Sequence, residues 1–158
     1  MGTREAMSHA ALGWVKPELD QLLELVRREV EAFAESERDG ANLVQAGHWL
    51  HQVRGTLQMV ELYAPALVAE EMEQLALALV AGGVADSEEA CATLMRGAVL
   101  LPDYLERLQD GHRDIPVVLL PLLNELRQLR GAEPMGEESL ATFTGGDIPF
   151  TDEEIAHA

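Results

Sequence analysis

Apolar residues return every three or four positions over most of this chain, and that spacing admits little besides helices. Val15, Leu19, Leu22, Val26, Val30 and Phe33 form the first series, with Gln21, Glu24, Arg28, Glu31 and Glu35 between them. Side chains three and four apart share one face of an α-helix, so the series predicts one amphipathic helix over about 16–36. There is little of the Val/Ile alternation a half-buried strand would need, only 4% of residues are aromatic, and Leu and Ala are abundant. The pattern therefore predicts an all-α protein.

The remaining elements follow in order. Ser36-Glu37-Arg38-Asp39-Gly40 reads as a turn with Gly as the stop signal. A second helix is predicted over about 42–63, its buried stripe running through Leu43, Ala46, Leu50, Val53, Leu57, Val60 and Ala64. Pro65 opens a third helix, in a first turn where a missing N–H does no harm. Here Leu67, Met72, Leu75, Leu79 and Val80 are expected inward, and Glu70, Glu71, Glu73 and Gln74 largely outward. Asp86, with Glu89 three residues on, suits the start of a fourth helix. That helix carries Ala90, Leu94, Val99 and Leu101, is kinked or restarted by Pro102, and continues through Tyr104, Leu105 and Leu108. A fifth begins near Asp114 and Pro116, with regular helix starting as late as Pro121, and reaches about Arg130. Short links imply antiparallel neighbours. The expected architecture is an antiparallel four-helix bundle with an additional C-terminal helix. It comprises a flexible leader over 1–11, a helical domain over 12–130 and an acidic flexible tail or linker over 131–158. From 132 onward the chain has seven acidic residues and no Lys or Arg, with Ile148, Phe150 and Ile155 as the apolar groups that could dock. The tail reads as a linker toward further domains.

Charge and composition remove several classes of function. A formal net charge of -17 repels phosphate backbones and anionic membrane surfaces, so no nucleic acid partner is expected. The longest apolar run, Val117 to Leu123, is too short to span a bilayer and contains Pro121, so no membrane insertion is expected. The start lacks the apolar core of a signal peptide, and one cysteine, Cys91, rules out an internal disulfide framework. A cytoplasmic protein is the expectation. No phosphate-binding Gly-rich loop or nucleotide motif is present, so the chain is not itself the ATP-using part of a kinase. No cofactor and no small-molecule substrate are expected. His48 and His51 stand three apart, but no carboxylate-histidine set or cysteine pair completes a metal site. Cys91 is read as a core or half-buried residue.

The chemistry-bearing stretch is Leu50-His51-Gln52-Val53-Arg54-Gly55-Thr56-Leu57. On the second helix, His51, Arg54 and Gly55 share a face. Turning about 100° per residue puts His51 and Gly55 well away from the buried stripe and Arg54 on its flank, with Gln58 between. His51 is therefore predicted to face solvent. A neutral imidazole carries a nitrogen lone pair that can attack phosphorus. Arg54 supplies a charge whose forked geometry suits phosphate oxygens. Gly55 costs about 1 kcal/mol against Ala in a helix interior, so its presence asks for a reason: room for a partner, or close helix packing. An ordinary solvated Arg54, paired with Glu61 or Glu70, is the competing reading of the cation.

His51-Gln52-Val53-Arg54-Gly55-Thr56-Leu57 resembles the signature of histidine-phosphotransfer (HPt) domains, His-x-Leu-Lys-Gly-Ser-Ala. The resemblance implies His51 as phosphoacceptor, Arg54 in place of the phosphate-facing lysine, and Gly55 as the residue that keeps the docking face open. Gln58 would add a hydrogen bond. Leu57 departs from the small residue expected. Over residues 12–130, with Leu101-Pro102-Asp103-Tyr104-Leu105 and Asp114-Ile115-Pro116-Val117 among the matching stretches, the chain also resembles the N-terminal module of the hybrid histidine kinase of Chp-type chemosensory systems. These control type IV pili and twitching motility. An HPt-like scaffold relative of that pathway lacks a working histidine. The implied partners are a response-regulator receiver domain, a histidine kinase catalytic domain, or both, and any Mg²⁺ would belong to the partner. Two functions follow: a phosphorelay module using His51, or an HPt-like scaffold that binds signalling proteins without transfer. A metal-binding helical-bundle enzyme ranks far behind, because it needs inward carboxylates on several helices.

Overall fold

The computed structural model describes residues 3–35, 40–113 and 115–143. They form six α-helices: α1 (Thr3–Glu35), α2 (Gly40–Met59), α3 (Tyr63–Ala81), α4 (Ser87–Gln109), α5 (Leu120–Leu129) and α6 (Glu137–Phe143). A 3₁₀ turn, Pro116–Leu119, precedes α5. Among the described residues there is no strand. Of the turn expected at 36–40, residues 36–39 lie outside them, as do Asp114 and the apolar Ile148, Phe150 and Ile155, while Gly40 is the first residue of α2.

Four helices make the frame. α1 packs on α2 and α4, α2 on α3, and α3 on α4. The directions follow from side-chain contacts. Asn42, at the start of α2, donates to Glu29 near the end of α1 at 2.8 Å. The backbone of Gly13, near the start of α1, lies beside the Gln109 side chain at the end of α4. Both pairs are antiparallel. The first series in the sequence buries as its spacing demands: Leu19, Leu22, Val26, Val30 and Phe33 all enter the core, as do Leu43, Ala46, Leu50, Val53 and Leu57 of α2. Burying a large aliphatic side chain contributes about 1.5–3 kcal/mol, so these two stripes supply a large share of the frame's stability.

The links are short and specific. Val60–Leu62 joins α2 to α3, with Glu61 in the left-handed region at φ 64. Gly82, at φ 78, ends α3 by giving its N–H to the Ala78 and Leu79 carbonyls. Asp86 caps α4, its carboxylate accepting from the Glu89 N–H at 3.1 Å. Pro102 sits inside α4 without breaking it.

The structure departs from the sequence reading at several points. α1 begins at Thr3, inside the stretch expected as leader, and Leu12 is already fully buried. The chain after α5 turns at Gly131 (φ 81), and Asn124 clasps it there. Asn124 donates to the Met135 carbonyl at 2.9 Å and accepts from the Met135 N–H at 2.7 Å. Met135, Leu140 and Ala141 are buried, so part of the expected tail is packed structure. Val80 and Val99, expected inward, are exposed. Glu71, expected outward, is buried, because α5 covers a second face of α3.

Candidate functional site

α2 and α3 run antiparallel with a constant register. Gly47 lies beside Leu77, His51 beside Glu73, and Arg54 beside Glu70. Each pair is one turn along from the last, so the three contacts mark out a single seam. His51 stands on the outer lip of that seam with 61% of its side chain exposed, as the helical rotation predicts. Leu50 and Val53 on either side of it are fully buried and hold it on a rigid base. Leu57 is also fully buried, so the bulky residue where the HPt signature has a small one is spent on the core.

Two charged side chains meet the imidazole. Glu73 Oε2 lies 3.3 Å from His51 Nδ1. Arg54 Nη2 lies 3.1 Å from the same nitrogen. Arg54 also reaches Glu70, at 3.8 Å. Arg54 is only 24% exposed and lies down against α3. Arg54 therefore contacts His51 and pairs with Glu70 at once.

The two contacts at Nδ1 exclude one another. An imidazole nitrogen either donates or accepts. If Nδ1 carries the proton, it donates to Glu73 and leaves the lone pair on Nε2. If Nδ1 accepts from Arg54, the proton sits on Nε2 and the outward nitrogen is no nucleophile. The acid on α3 and the cation on α2 thus compete for one atom, and the winner decides whether Nε2 can react. Each also has capacity to spare. Arg54 Nε and Glu73 Oε1 are buried without a hydrogen-bond partner in the protein. Orphaned polar atoms cost about 1–3 kcal/mol each, and a fold tolerates them mainly where a ligand or partner completes them.

Room for a partner is present. A Cβ built on Gly55 would meet nothing within 4 Å, so this glycine is not required by helix packing. His48 is exposed one turn before His51. Farther toward the start of α2 the seam is edged by exposed Val44, Leu77 and Val80. Gln58 is exposed, but it stands seven residues on, about 10 Å along the axis, and is not among the groups around the imidazole.

Glu73 is the residue that sequence reasoning missed. A helical wheel of α3 alone gives it an outward angle. Only the register with α2 shows that this angle points across the seam, where the carboxylate is 14% exposed. Among the described residues, no three His, Cys, Asp or Glu side chains are grouped to hold a metal ion. No helix there is long and apolar enough to cross a membrane.

A four-helix frame with a surface histidine midway along its second helix, backed by charge from the third, defines a class of helical signalling module. The chain belongs to the Hpt domain family, which it matches over residues 10–111. It is similar to the Scaffold protein FimL of Pseudomonas aeruginosa, with 33% identity over 139 residues, 88% of this chain. The chain spans about a quarter of that relative's length, 25%. No solved structure gives a significant match.

Proposed function

We propose that this chain is a cytoplasmic histidine-phosphotransfer module in which His51 accepts a phosphoryl group and passes it on. The observation that carries the reading is the seam itself: an exposed imidazole with a carboxylate at Nδ1, a guanidinium at the same atom and open space over Gly55. In the reactive state Nδ1–H donates to Glu73. The Nε2 lone pair attacks the phosphorus of a receiver's aspartyl phosphate. The new N–P bond forms as the P–O bond to the aspartate breaks, and the aspartate leaves as a carboxylate. Positive charge develops on the ring, and Glu73 stabilises it through Nδ1–H, as a buried acid stabilises an imidazolium in other histidine chemistry. Arg54, displaced from Nδ1 by the proton there, is free to turn its fork to the phosphoryl oxygens. Gly55 lets the partner's backbone close over the site. Val44, Leu77 and Val80 offer it an apolar edge. Gln58 is left with at most a contact to the partner.

The resemblance over 12–130 supports a place in a Chp-type chemosensory system controlling type IV pili and twitching motility. A receiver domain, a kinase catalytic domain, or both would be the partners. A second reading has its own support: the relative's name describes a scaffold, which favours partner binding without transfer. One experiment separates the two. The chain and its His51→Gln variant are incubated with a phosphorylated receiver, or with a kinase catalytic domain and ATP. An acid-labile, alkali-stable label on the parent that is missing from the variant establishes the relay. Equal binding of both to the partner, with no label on either, establishes the scaffold.

A further inference from the structure

Glu71 is a buried carboxylate with no part in the seam. Its side chain is 5% exposed and faces away from α2, toward α5. Arg127 donates to one of its oxygens at 2.7 Å, and Arg130 donates to the other twice, at 2.8 and 3.1 Å. Arg127 also holds the returning chain, donating to the Glu133 carbonyl at 2.6 Å. Both arginines lie beyond the 10–111 stretch that matches the family, while Glu71 lies within it.

A buried ion pair adds little stability over an apolar set of the same size. What it does well is fix geometry, since its hydrogen bonds are satisfied in only one register. α3 needs that more than the other helices do. Its buried face is made largely of Ala64, Ala66, Ala69 and Ala76, with Val68, Met72 and Leu75. Opposite Met72, α4 presents Gly97, where an added Cβ would come within 2.9 Å of the Met72 sulfur. Apart from Val68, Leu75 and Met72, the last seated in the notch at Gly97, this face is built of small residues that give few knobs to resist rotation, and Met adapts its shape to what surrounds it. Rotation of α3 is the variable on which the seam depends. One residue of slip is about 100°, and far less would carry Glu73 and Glu70 off His51 and Arg54.

We infer that Arg127 and Arg130 are positioning residues for the His51 site: by gripping Glu71 they set the rotation of α3 that holds Glu73 and Glu70 against His51 and Arg54. The segment after residue 111 then works as part of the site without touching it. The kinetic consequence rests on the relay reading of His51; the geometric one does not.

The test replaces the latch without emptying it. Glu71→Met, Arg127→Leu and Arg130→Leu are combined in the full chain, so that packing is kept while the directional bonds are lost. Two readouts are taken. ¹⁵N NMR of the His51 ring reports which nitrogen carries the proton. Labelling by phosphoramidate reports reactivity without any partner protein. In that reaction Nε2 bonds to phosphorus, the P–N bond breaks and ammonia leaves. The expected result is an unchanged Tm, a smaller share of the Nδ1–H tautomer in the ring, and labelling slowed about tenfold. Glu73→Gln should slow the parent but have little further effect in the triple variant. An unchanged ring spectrum in a folded triple variant overturns the inference. If the parent takes no label, the relay reading fails and the ring spectrum alone decides. If the triple variant does not fold, Glu71→Gln, which keeps the side chain's shape but turns an amide N–H against one of the two arginines, carries the same two readouts, and an unchanged spectrum there overturns it equally.

Discussion

Within three residues, α3 places two carboxylates in opposite circumstances. Glu71 is closed off, with both oxygens taken by Arg127 of α5 and Arg130 just beyond it. Glu73 faces the open seam, with one oxygen near a histidine it must share with Arg54 and the other without a protein partner. The saturated site has nothing left to offer a ligand. The unsaturated one has an acceptor, a donor and a mobile proton held in reserve. Burial and charge alone do not tell these two carboxylates apart; unspent hydrogen-bonding capacity does.

The contrast breaks most sharply at His51. His51→Gln should reduce phosphoryl labelling below detection while leaving stability within about 0.5 kcal/mol, because the side chain is exposed; labelling and urea unfolding on one sample check both halves. On the closed side the order reverses. Arg127→Ala with Arg130→Ala strands Glu71 in the core and should cost about 3–5 kcal/mol, read as a lower urea midpoint. Gly55→Ala sharpens the comparison from a third direction. The added Cβ meets open space, so the helix should gain about 0.5–1 kcal/mol. Transfer from a receiver should slow nonetheless, whereas labelling by phosphoramidate should not, if the space serves a partner's backbone.

The smallest effect belongs to a charge in neither region. A hydrogen bond from Arg27 holds the Glu24 carboxyl below its ordinary value of 4.5. A depressed folded value means the contribution is present above the unfolded pKa and is lost as pH falls through the folded one. Glu24→Gln should therefore lower stability slightly at neutral pH, leave it unchanged below the folded pKa, and so flatten the acid limb of a stability-against-pH curve. An exposed pair promises no more than that.

The sequence made the frame and the open half of the site legible because both depend on one helix at a time. The three- and four-residue spacing of Val26, Val30 and Phe33, the Asp86 cap and the outward angle of Gly55 are local facts, and each appears in the structure. Glu73, Glu71 and the Met135–Leu140 strap were not legible, because each is defined by a neighbour distant in sequence. A wheel drawn for α3 assumes one buried side, yet α3 has a seam on one flank and α5 on another. Composition misleads over 131–143 for a similar reason: an acidic, Pro- and Gly-containing stretch still packs when Asn124 supplies the hydrogen bonds its backbone needs.

The division of labour on α3 also bears on descent. Position 73 answers to the histidine opposite it and position 70 to Arg54; position 71 answers to a pair of arginines and to the core that surrounds it. A lineage that abandoned relay chemistry would lose selection on the first two, and the positioning role of the third with them, while the cost of a carboxylate stranded in the core would still hold the third to its arginines. The third helix would then record that history more faithfully than the histidine motif, where a surface His can linger by chance or vanish by a single nucleotide change.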